Sequence, residues 1–520
     1  MMTTIKQHGA AMLSWMSRAF TGASTTHTDL ARWRPRNYSP AAALHSSRDT
    51  LVARIHDQVR NDGWASATLS RRIDAAIGAG WRLSAKPNAR RLGIDQKQAD
   101  ELGDEIEAAF DEYAEDPRFF CDKQRRSYLG GLVALAYRHK LADGDAFAVL
   151  HWEEDRPYAT TIEIVHPDRC VTPAGRREGD GVRSGVELGA DGQPIGYHFL
   201  VQHPGENPLS GVSLARKTVY IPREDAFGRP IVVHSFDTTE AGQVRGVPLL
   251  APIIKKLRML GRYDEAELQA SALNAVLAAF ITTPFDSELI GSGIGKLDEL
   301  TPHQKMRLDM YGEAPINIDG VRVNYLAPGD KAEFMNPRHP NSVFEQFQRT
   351  ALRNIASATG LSYEQLSMDW SQSNYSSARA ALLEVWRGLA ADQGKFARTF
   401  MQPIYGAWLE EAIDRKQIKT PAGARPFHEA VGAWTKAKWI GPGRGWVDPV
   451  KEAAAAVARI QAGLSSYERE CAEQGIDYQE NFRQIARERE EMKELGLEFD
   501  LSGGQQQLRD DPEQSERNAA

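Results

Sequence analysis

A short polar segment lies between long amphipathic helices in the last third of the chain. Residues 369–377 are rich in Ser and Asn; one predicted helix, over 342–359, precedes them, and another, over 376–415, follows. The residues that share the apolar face of the second helix are Leu382, Trp386, Leu389, Phe396, Phe400, Ile404 and Trp408. Pro403 predicts a kink in that helix. Because helices hold both ends of the polar segment, we expect an exposed loop that is held in place for a contact. The segment itself does not identify that contact.

Two helices also bracket a polar module just before this loop. The first is predicted from Leu249 to about Ile281, with Pro248 and Pro252 near its start, where proline is tolerated. The second is the helix over 342–359. Between them, residues 283–342 are rich in Gly and Pro, and Ile316–Tyr325 alternates as a small hairpin around Asp319-Gly320.

The first half of the chain changes its periodicity near Asp143. Apolar residues at helical spacing predict helices over 46–77, 95–115 and 124–142, and a strand begins at Trp81. Short β-rich runs follow, and Asp191-Gly192 reads as a hairpin turn between two of them. The runs are Ala146–Trp152, Thr161–His166, Val182–Leu188, Ile195–Val201 and Ile231–Phe236. They predict one antiparallel domain, so the fold class is α+β.

The C-terminal part carries three helix-start signals. Asp448-Pro449 places an N-cap before a proline in the first helical position. Ser465 with Glu468, and Asp477 with Glu480, match the capping-box pattern. Residues 500–520 are polar and are predicted to be disordered.

Composition narrows the functional classes. The chain has 520 residues and a net charge of −7, whereas proteins that grip DNA tightly are usually basic. Its three cysteines are far apart, which disfavours a zinc site or a disulfide framework and fits a reducing compartment. Residues 1–28 do not match a secretory signal and suggest a mobile arm. The apolar run Ala270–Thr283 is too short to span a bilayer, so we expect a soluble, intracellular protein without membrane contact.

No motif predicts catalysis, a cofactor or a metal. The segment GSGIGK, residues 291–296, fails the spacing of a phosphate-binding loop. His166-Pro167-Asp168 and His339-Pro340 look like turns. Nothing groups a nucleophile with a base, so we predict a non-enzyme. The alternatives are a hydrolase or nuclease with a dispersed active site, and a monomeric nucleic-acid-binding module.

Basic residues cluster on the two bracketing helices. They are Lys255, Lys256, Arg258 and Arg262 on the first, and Arg349 and Arg353 on the second. Two interpretations stay open: a solvated face with acidic partners such as Asp264 and Glu265, or a surface that faces a channel.

Several segments together resemble the portal proteins of lambda-like tailed phages. The resemblance rests on residues 328–387, which include NYSSAR, on WIGPGRGWVDPVKEAAAA at 439–456, and on Gly475-Ile476-Asp477. Residues 31–44 and 233–252 also fit. The resemblance covers most of residues 30–500.

The resemblance implies a division into named parts. A mobile arm (1–29) precedes a wing of N-terminal helices and β-rich structure (30–248). Stem helices (249–282 and 342–360) flank a small α/β clip (283–341). A tunnel loop (361–375), a long wing helix with the crown start (376–432), crown helices (433–499) and a disordered tail (500–520) complete the chain. The residues implied for the tunnel loop are Met368, Asp369, Trp370, Ser371, Gln372, Ser373 and Asn374.

The resemblance also implies an assembly and its partners. The subunit would form a ring, by family likeness a dodecamer, at the portal vertex of the capsid in the virion, after assembly in the host bacterial cytoplasm. Double-stranded DNA would pass through the ring during packaging and ejection. The implied protein partners are the terminase large subunit, a head–tail connector or adaptor protein, and the major capsid and scaffold proteins. A ring of one chain needs a head-to-tail interface that closes.

Overall fold

The computed structural model describes most of the chain in eight ranges. These are residues 21–24, 27–206, 217–277, 316–318, 321–323, 344–371, 374–444 and 448–497. The predictions for the N-terminal arm, for most of the clip and for the C-terminal tail therefore lie outside the described residues.

Helices make up the N-terminal region, the middle of the chain and its C-terminal part. The N-terminal helices are α1 (Pro40–His45), α2 (Arg48–Asn61), α3 (Gly63–Ala76), α4 (Ala89–Leu92), α5 (Gln96–Glu115) and α6 (Leu129–Asp143). Those of the middle are α7 (Ile254–Leu277), α8 (Phe344–Thr359), α9 (Tyr363–Ser367), α10 (Tyr375–Phe396) and α11 (Gln402–Asp414). The last are α12 (Val431–Trp434), α13 (Pro449–Gln461), α14 (Tyr467–Glu473) and α15 (Tyr478–Glu494).

The strands form small antiparallel sheets. They are β1 (Arg82–Ala85), β2 (Asp145–Trp152), β3 (Thr160–Val165), β4 (Val182–Arg183), β5 (Val186–Leu188), β6 (Pro194–Leu200), β7 (Thr218–Pro222), β8 (Val232–Phe236), β9 (Ile316–Ile318), β10 (Val321–Val323) and β11 (Ala437–Ile440). Their orders are β3-β2-β8, β4-β5-β6-β7, β1-β11 and β9-β10. Mixed helices and small sheets confirm the α+β class.

The β-rich part holds two sheets around one apolar cluster. Phe147 of β2 packs edge-on against Tyr197 and Phe199 of β6, with ring centroids 5.7 and 5.4 Å apart. The predicted run 182–188 is instead two strands, because Ser184 and Gly185 both adopt positive φ and form a tight turn. All strand pairs of this part are antiparallel, as predicted, and they form two sheets.

The centre of the molecule is packed with aromatic rings. Phe110 of α5 lies 5.0 Å from Trp408 and 5.7 Å from Tyr405 between ring centroids, and both partners belong to α11. Trp439 of β11 contacts the same ring at 5.8 Å. These buried rings join the N-terminal helices to residues some 300 positions later, so the central core depends on long-range contacts.

Buried charges in the centre are paired. Asp145 accepts a hydrogen bond from Arg245 Nε at 2.8 Å and lies 3.0 Å from His234 Nε2. Glu411 accepts from the backbone N–H of Thr160 at 2.8 Å and from its hydroxyl at 2.5 Å. A buried carboxylate is tolerated where such partners replace its water shell. The Glu411 contacts fix β3 against α11.

Gly144 and Gly246 meet at the end of α6. A Cβ placed on Gly246 would lie 1.9 Å from the carbonyl oxygen of Gly144. Gly144 has a φ of 91°, which ends the helix in the left-handed region. The chain can therefore turn from α6 into β2 while the later segment crosses over it.

Several predicted helix boundaries are wrong for local reasons. The helix over 46–77 breaks at Asp62, whose side chain caps α3 by accepting from Ala65 N–H at 2.8 Å. The helix predicted from 124 begins at Leu129, because the Asp122 carboxylate accepts from the N–H groups of Arg126 and Ser127 in a turn. The cap predicted at Ser465 falls on Ser466.

Other predictions hold. Asp448 and Asp477 cap α13 and α15 through their side chains. The long helix over 376–415 is present as α10 and α11, joined by a π-helical turn at Ala397–Met401 just before Pro403. Within the described ranges, no helix combines the length and the apolarity that crossing a bilayer would take.

Candidate functional site

Helices α7 and α8 lie side by side in opposite directions. Lys256 Nζ, near the start of α7, donates to Asn354 Oδ1, near the end of α8, at 2.6 Å. About two turns further along α7, the ring of Tyr263 lies 4.9 Å from that of Phe347. The contacts advance along one helix and retreat along the other, so the pair is antiparallel.

The polar segment after α8 begins with a capped helical turn. Ser362 accepts from the backbone N–H of Gln365 at 3.2 Å, and the Gln365 side chain accepts from Ser362 N–H at 3.1 Å. This reciprocal cap starts α9, which ends at Met368 in the left-handed conformation with a φ of 57°. The predicted loop 361–375 therefore contains a short helix.

Asp369 ties the segment to α8. Its carboxylate accepts from the Tyr363 hydroxyl at 3.0 Å and from the Ser371 hydroxyl at 2.6 Å. Arg349 Nη2 of α8 lies 3.7 Å from the same carboxylate. Arg349 and Arg353 also stack over the Tyr363 ring at 5.9 and 5.6 Å. The structure thus brings both predicted arginines onto the base of the loop.

The electrostatics of Asp369 follow from these contacts. The Ser371 hydroxyl and backbone N–H, the Tyr363 hydroxyl and nearby Arg349 all favour the ionised form. They hold the pKa of Asp369 below its usual range, so the loop keeps a negative charge at neutral pH.

The remaining predicted loop residues divide into exposed and capping positions. Met368 is 57% exposed and Trp370 41% exposed, which is unusual for large apolar side chains beside a braced turn. Asn374 caps α10 by accepting from Ser377 N–H at 2.8 Å. Gln372 and Ser373 lie outside the described residues.

The predicted basic residues of α7 are all on its exposed side. Lys255, Lys256, Arg258 and Arg262 are exposed. Ile253, Leu257 and Leu260 of the same stretch recur at helical spacing and are buried. The partner of Lys256 is Asn354 rather than a nearby acid of its own helix.

A carboxylate that is 13% exposed anchors the other side of the loop. Asp392 of α10 accepts from Arg72 Nη2 at 2.7 Å and from Lys140 Nζ at 2.6 Å, and the Tyr137 hydroxyl also donates to it. The helix that follows the loop is therefore fixed to α3 and α6. Sequence reasoning missed Asp392 and Tyr363; the only local signal was the capping-box spacing of Ser362 and Gln365.

The site is a helical support that presents a short polar loop with two exposed apolar side chains.

Comparison with known proteins shows which family has this kind of subunit. The model of the phage portal protein, lambda family, matches residues 26–393. The portal protein of Escherichia phage N15 is 34% identical over 478 residues, covering 90% of this chain and 89% of the relative. Portal protein B of Escherichia phage lambda is 33% identical over 488 residues, covering 92% and 90%.

A more distant similarity links the chain to particle necks. The neck of a native gene transfer agent particle, computed with C12 symmetry, aligns with a TM-score of 0.40 at 14% identity, covering 77% of this chain and 94% of that one. The chain belongs to the lambda family of phage portal proteins. The predicted function is thereby confirmed: it is a structural portal component of a tailed-phage particle and not an enzyme.

Proposed function

We propose that copies of this chain form a closed ring at one capsid vertex and that DNA passes along its axis. The observation that carries the proposal is the braced loop, in which Met368 and Trp370 stay exposed while the Asp369 carboxylate contacts Tyr363 of α9 and Arg349 of α8. A constriction around a moving polymer needs side chains on a firm base. It does not need reactive groups.

The charge of the loop fits a surface on which DNA slides. Residues 361–377 contain no Lys, Arg or His, and Asp369 is ionised. Each phosphate that a protein neutralises adds to affinity through counterion release, so strong cationic contacts would retain DNA. The exposed cations Lys255, Lys256, Arg258 and Arg262 instead lie on α7. There they would offset repulsion from the acidic subunit.

The proposed parts follow the sequence expectation. Residues 30–248 form the wing, α7 and α8 belong to the stem (249–282 and 342–360), and 283–341 form the clip. Residues 361–375 form the tunnel loop, 376–432 the long wing helix and crown start, and 433–499 the crown. The antiparallel α7–α8 pair supports the stem assignment, because the two ends that leave it toward 283–341 lie on the same side.

The proposed partners follow from a role at the vertex. During assembly in the host bacterial cytoplasm, the ring would contact the major capsid and scaffold proteins and dock the terminase large subunit. In the finished virion it would bind a head–tail connector or adaptor protein. Such docking would use the clip.

The test removes the exposed part of the loop, together with Asp369, and leaves α8, α9 and α10 in the chain. Deleting Asp369–Ser373 should leave folding and ring formation intact but reduce DNA packaging or retention, measured as nuclease-protected DNA per particle. A milder variant, Trp370→Ala, should have the same kind of defect. Its matched control is Phe227→Ala, because Phe227 is 87% exposed on the wing side and lies outside the proposed channel.

Two outcomes would contradict the proposal. Loss of folding in the deletion variant would place the segment in the core of the subunit. Normal packaging by both loop variants, with intact rings, would show that the loop does not face DNA.

A further inference from the structure

Four histidines and two aspartates meet where the N-terminal helices contact the β-rich part. They come from α2, from the last turns of α6, from the single turn Pro167–Arg169 and from the segment after β6. The residues are His56, His139, Asp143, His166, Asp168 and His203. We call them the histidine cluster. The proposed channel does not use them.

Asp143 is the buried centre of the histidine cluster. Its side chain is fully buried, and its two oxygens lie 2.5 Å from His56 Nε2 and 2.7 Å from His139 Nδ1. A buried carboxylate needs a positive partner. Asp145 and Asp392 have guanidinium or ammonium groups as partners. Among the described residues, the ion-pair partners of Asp143 are imidazoles alone.

His166 completes a set of three possible ligands. One donor atom each from His56, Asp143 and His166 lies within 4.8 Å of the other two. Donor atoms around tetrahedral zinc lie roughly 3.3 Å apart, since each bond is about 2.0–2.1 Å long. Small side-chain rotations would therefore bring the three atoms onto one ion. Imidazole and carboxylate are the ligands that zinc and related divalent ions use together.

We propose that His56, Asp143 and His166 bind one divalent transition-metal ion of the zinc class, with water or His203 in a fourth position. The ion would supply the positive charge that Asp143 otherwise takes from imidazole. It would also join α2, α6 and the turn after β3, which are far apart in sequence. The result would be a clamp between the helical and β-rich parts of the proposed wing.

The surrounding groups suit the outer shell of such a site. His139 already holds the second oxygen of Asp143. Asp168 Oδ2 lies 3.9 Å from His166 Nδ1, and Asp168 is itself held by Arg48 at 3.1 Å. When a metal takes Nε2 of His166, the ring proton moves to Nδ1. That N–H could then donate to Asp168, in place of the 3.2 Å bond Nδ1 accepts from Asp168 N–H.

The test is a metal titration of the full-length protein. After chelator treatment at neutral pH, Zn²⁺ alone should bind with one ion per chain and raise the thermal unfolding temperature. His166→Asn should weaken that binding by at least about 100-fold, because a first ligand is lost. Asparagine is a good cap, so this variant keeps a hydrogen-bond acceptor for Asp168 N–H.

The matched control is His428→Ala. Glu410, Asp414 and His428 form the other set of three possible ligands in the described ranges that lies outside the histidine cluster. Binding that survives in His428→Ala and is lost in His166→Asn supports the site. Binding that is unchanged in His166→Asn, or no stoichiometric binding to the wild-type chain, overturns it.

A second measurement covers a variant that fails to fold. X-ray absorption spectroscopy of zinc bound to the wild-type chain should show scattering from at least two imidazole rings. A zinc ion with oxygen ligands only, or with no imidazole signature, would overturn the proposal whatever the variant does.

Discussion

The helices of the central core and the three C-terminal helices are all amphipathic in sequence. They differ in how far their apolar side chains are buried. In the centre, Phe110 and Trp408 are fully enclosed, and buried acids are paired. Helices α13, α14 and α15 have no buried residue, and apolar side chains such as Val457 and Phe482 stay exposed. The same periodicity thus yields a packed core in one region and an open apolar stripe in the other.

The contacts of the C-terminal helices are mostly polar. Arg483 donates to Asp104, Lys438 Nζ lies 2.7 Å from Glu468, and Arg82 pairs with Glu480, all at exposed positions. Exposed ion pairs typically contribute about 0–1 kcal/mol each. We therefore expect the centre to fold within one chain, whereas the C-terminal helices gain their full stability from neighbouring copies in the proposed ring.

The largest predicted effect is at a buried ion pair of the centre. Arg245→Ala removes the guanidinium that donates to buried Asp145, leaves Arg48 Nε 3.9 Å away, and should lower the free energy of unfolding by about 3–5 kcal/mol. Arg82→Ala removes an exposed pair with α15 and should change it by about 1 kcal/mol or less. Urea denaturation of both variants measures the difference. Equal losses would remove the contrast between the two regions.

Two adjacent threonines test how the centre is held. Thr160→Val removes the hydroxyl that donates to buried Glu411, so it should lower the free energy of unfolding by about 1–3 kcal/mol. The Thr161 hydroxyl is buried without a hydrogen-bond partner. Thr161→Val should therefore be neutral or stabilising in the same denaturation assay. A larger loss at Thr161 would contradict this hydrogen-bond account.

Helix caps separate global from local stability. Asp95 caps α5, which packs in the centre, and Asp448 caps α13. Asp95→Ala should lower the free energy of global unfolding by about 1 kcal/mol. Asp448→Ala should instead speed hydrogen exchange within α13 and leave the global value almost unchanged, because α13 opens by itself. Exchange mass spectrometry distinguishes these results, and a global loss in Asp448→Ala would show that α13 unfolds with the core.

A pH-dependent effect should occur where the two regions meet. Glu107 accepts from Ala85 N–H at 2.7 Å, and burial, with a lesser contribution from nearby Asp477, raises its pKa to about 7. Because the folded pKa lies above the usual 4.5, the wild-type chain loses stability as pH rises from about 4.5 through 7. Glu107→Gln keeps an acceptor and should remove the part of that slope that Glu107 causes. Thermal unfolding at pH 5 and pH 8 checks it; an unchanged slope would contradict the shifted pKa.

The sequence predicted the elements better than their ends or partners. Apolar spacing was enough for α5, α7, α8 and α10, because amphipathic helices carry a strong local signal. It missed the pairing of β1 with β11, which joins residues 82–85 to 437–440, since register between distant strands has no local signature. Breaks at Asp62 and Asp122 were missed because their side chains compete for backbone N–H groups.

The loop shows the same limit. Its position and polarity followed from the sequence, whereas the cap at Asn374 came from the structure. The bracing of Asp369 by Tyr363 and Arg349 did not follow from the sequence, because it depends on how α8 lies beside α9. The histidine cluster was equally invisible, since its members come from four separate segments.

The central claim is that this chain assembles into a ring. Electron microscopy of the purified full-length protein, with light scattering for mass, tests it directly. The account predicts closed rings of one size with rotational symmetry and a mass many times that of one chain. A stable monomer at high protein concentration, with no ring in low or high salt, would contradict it.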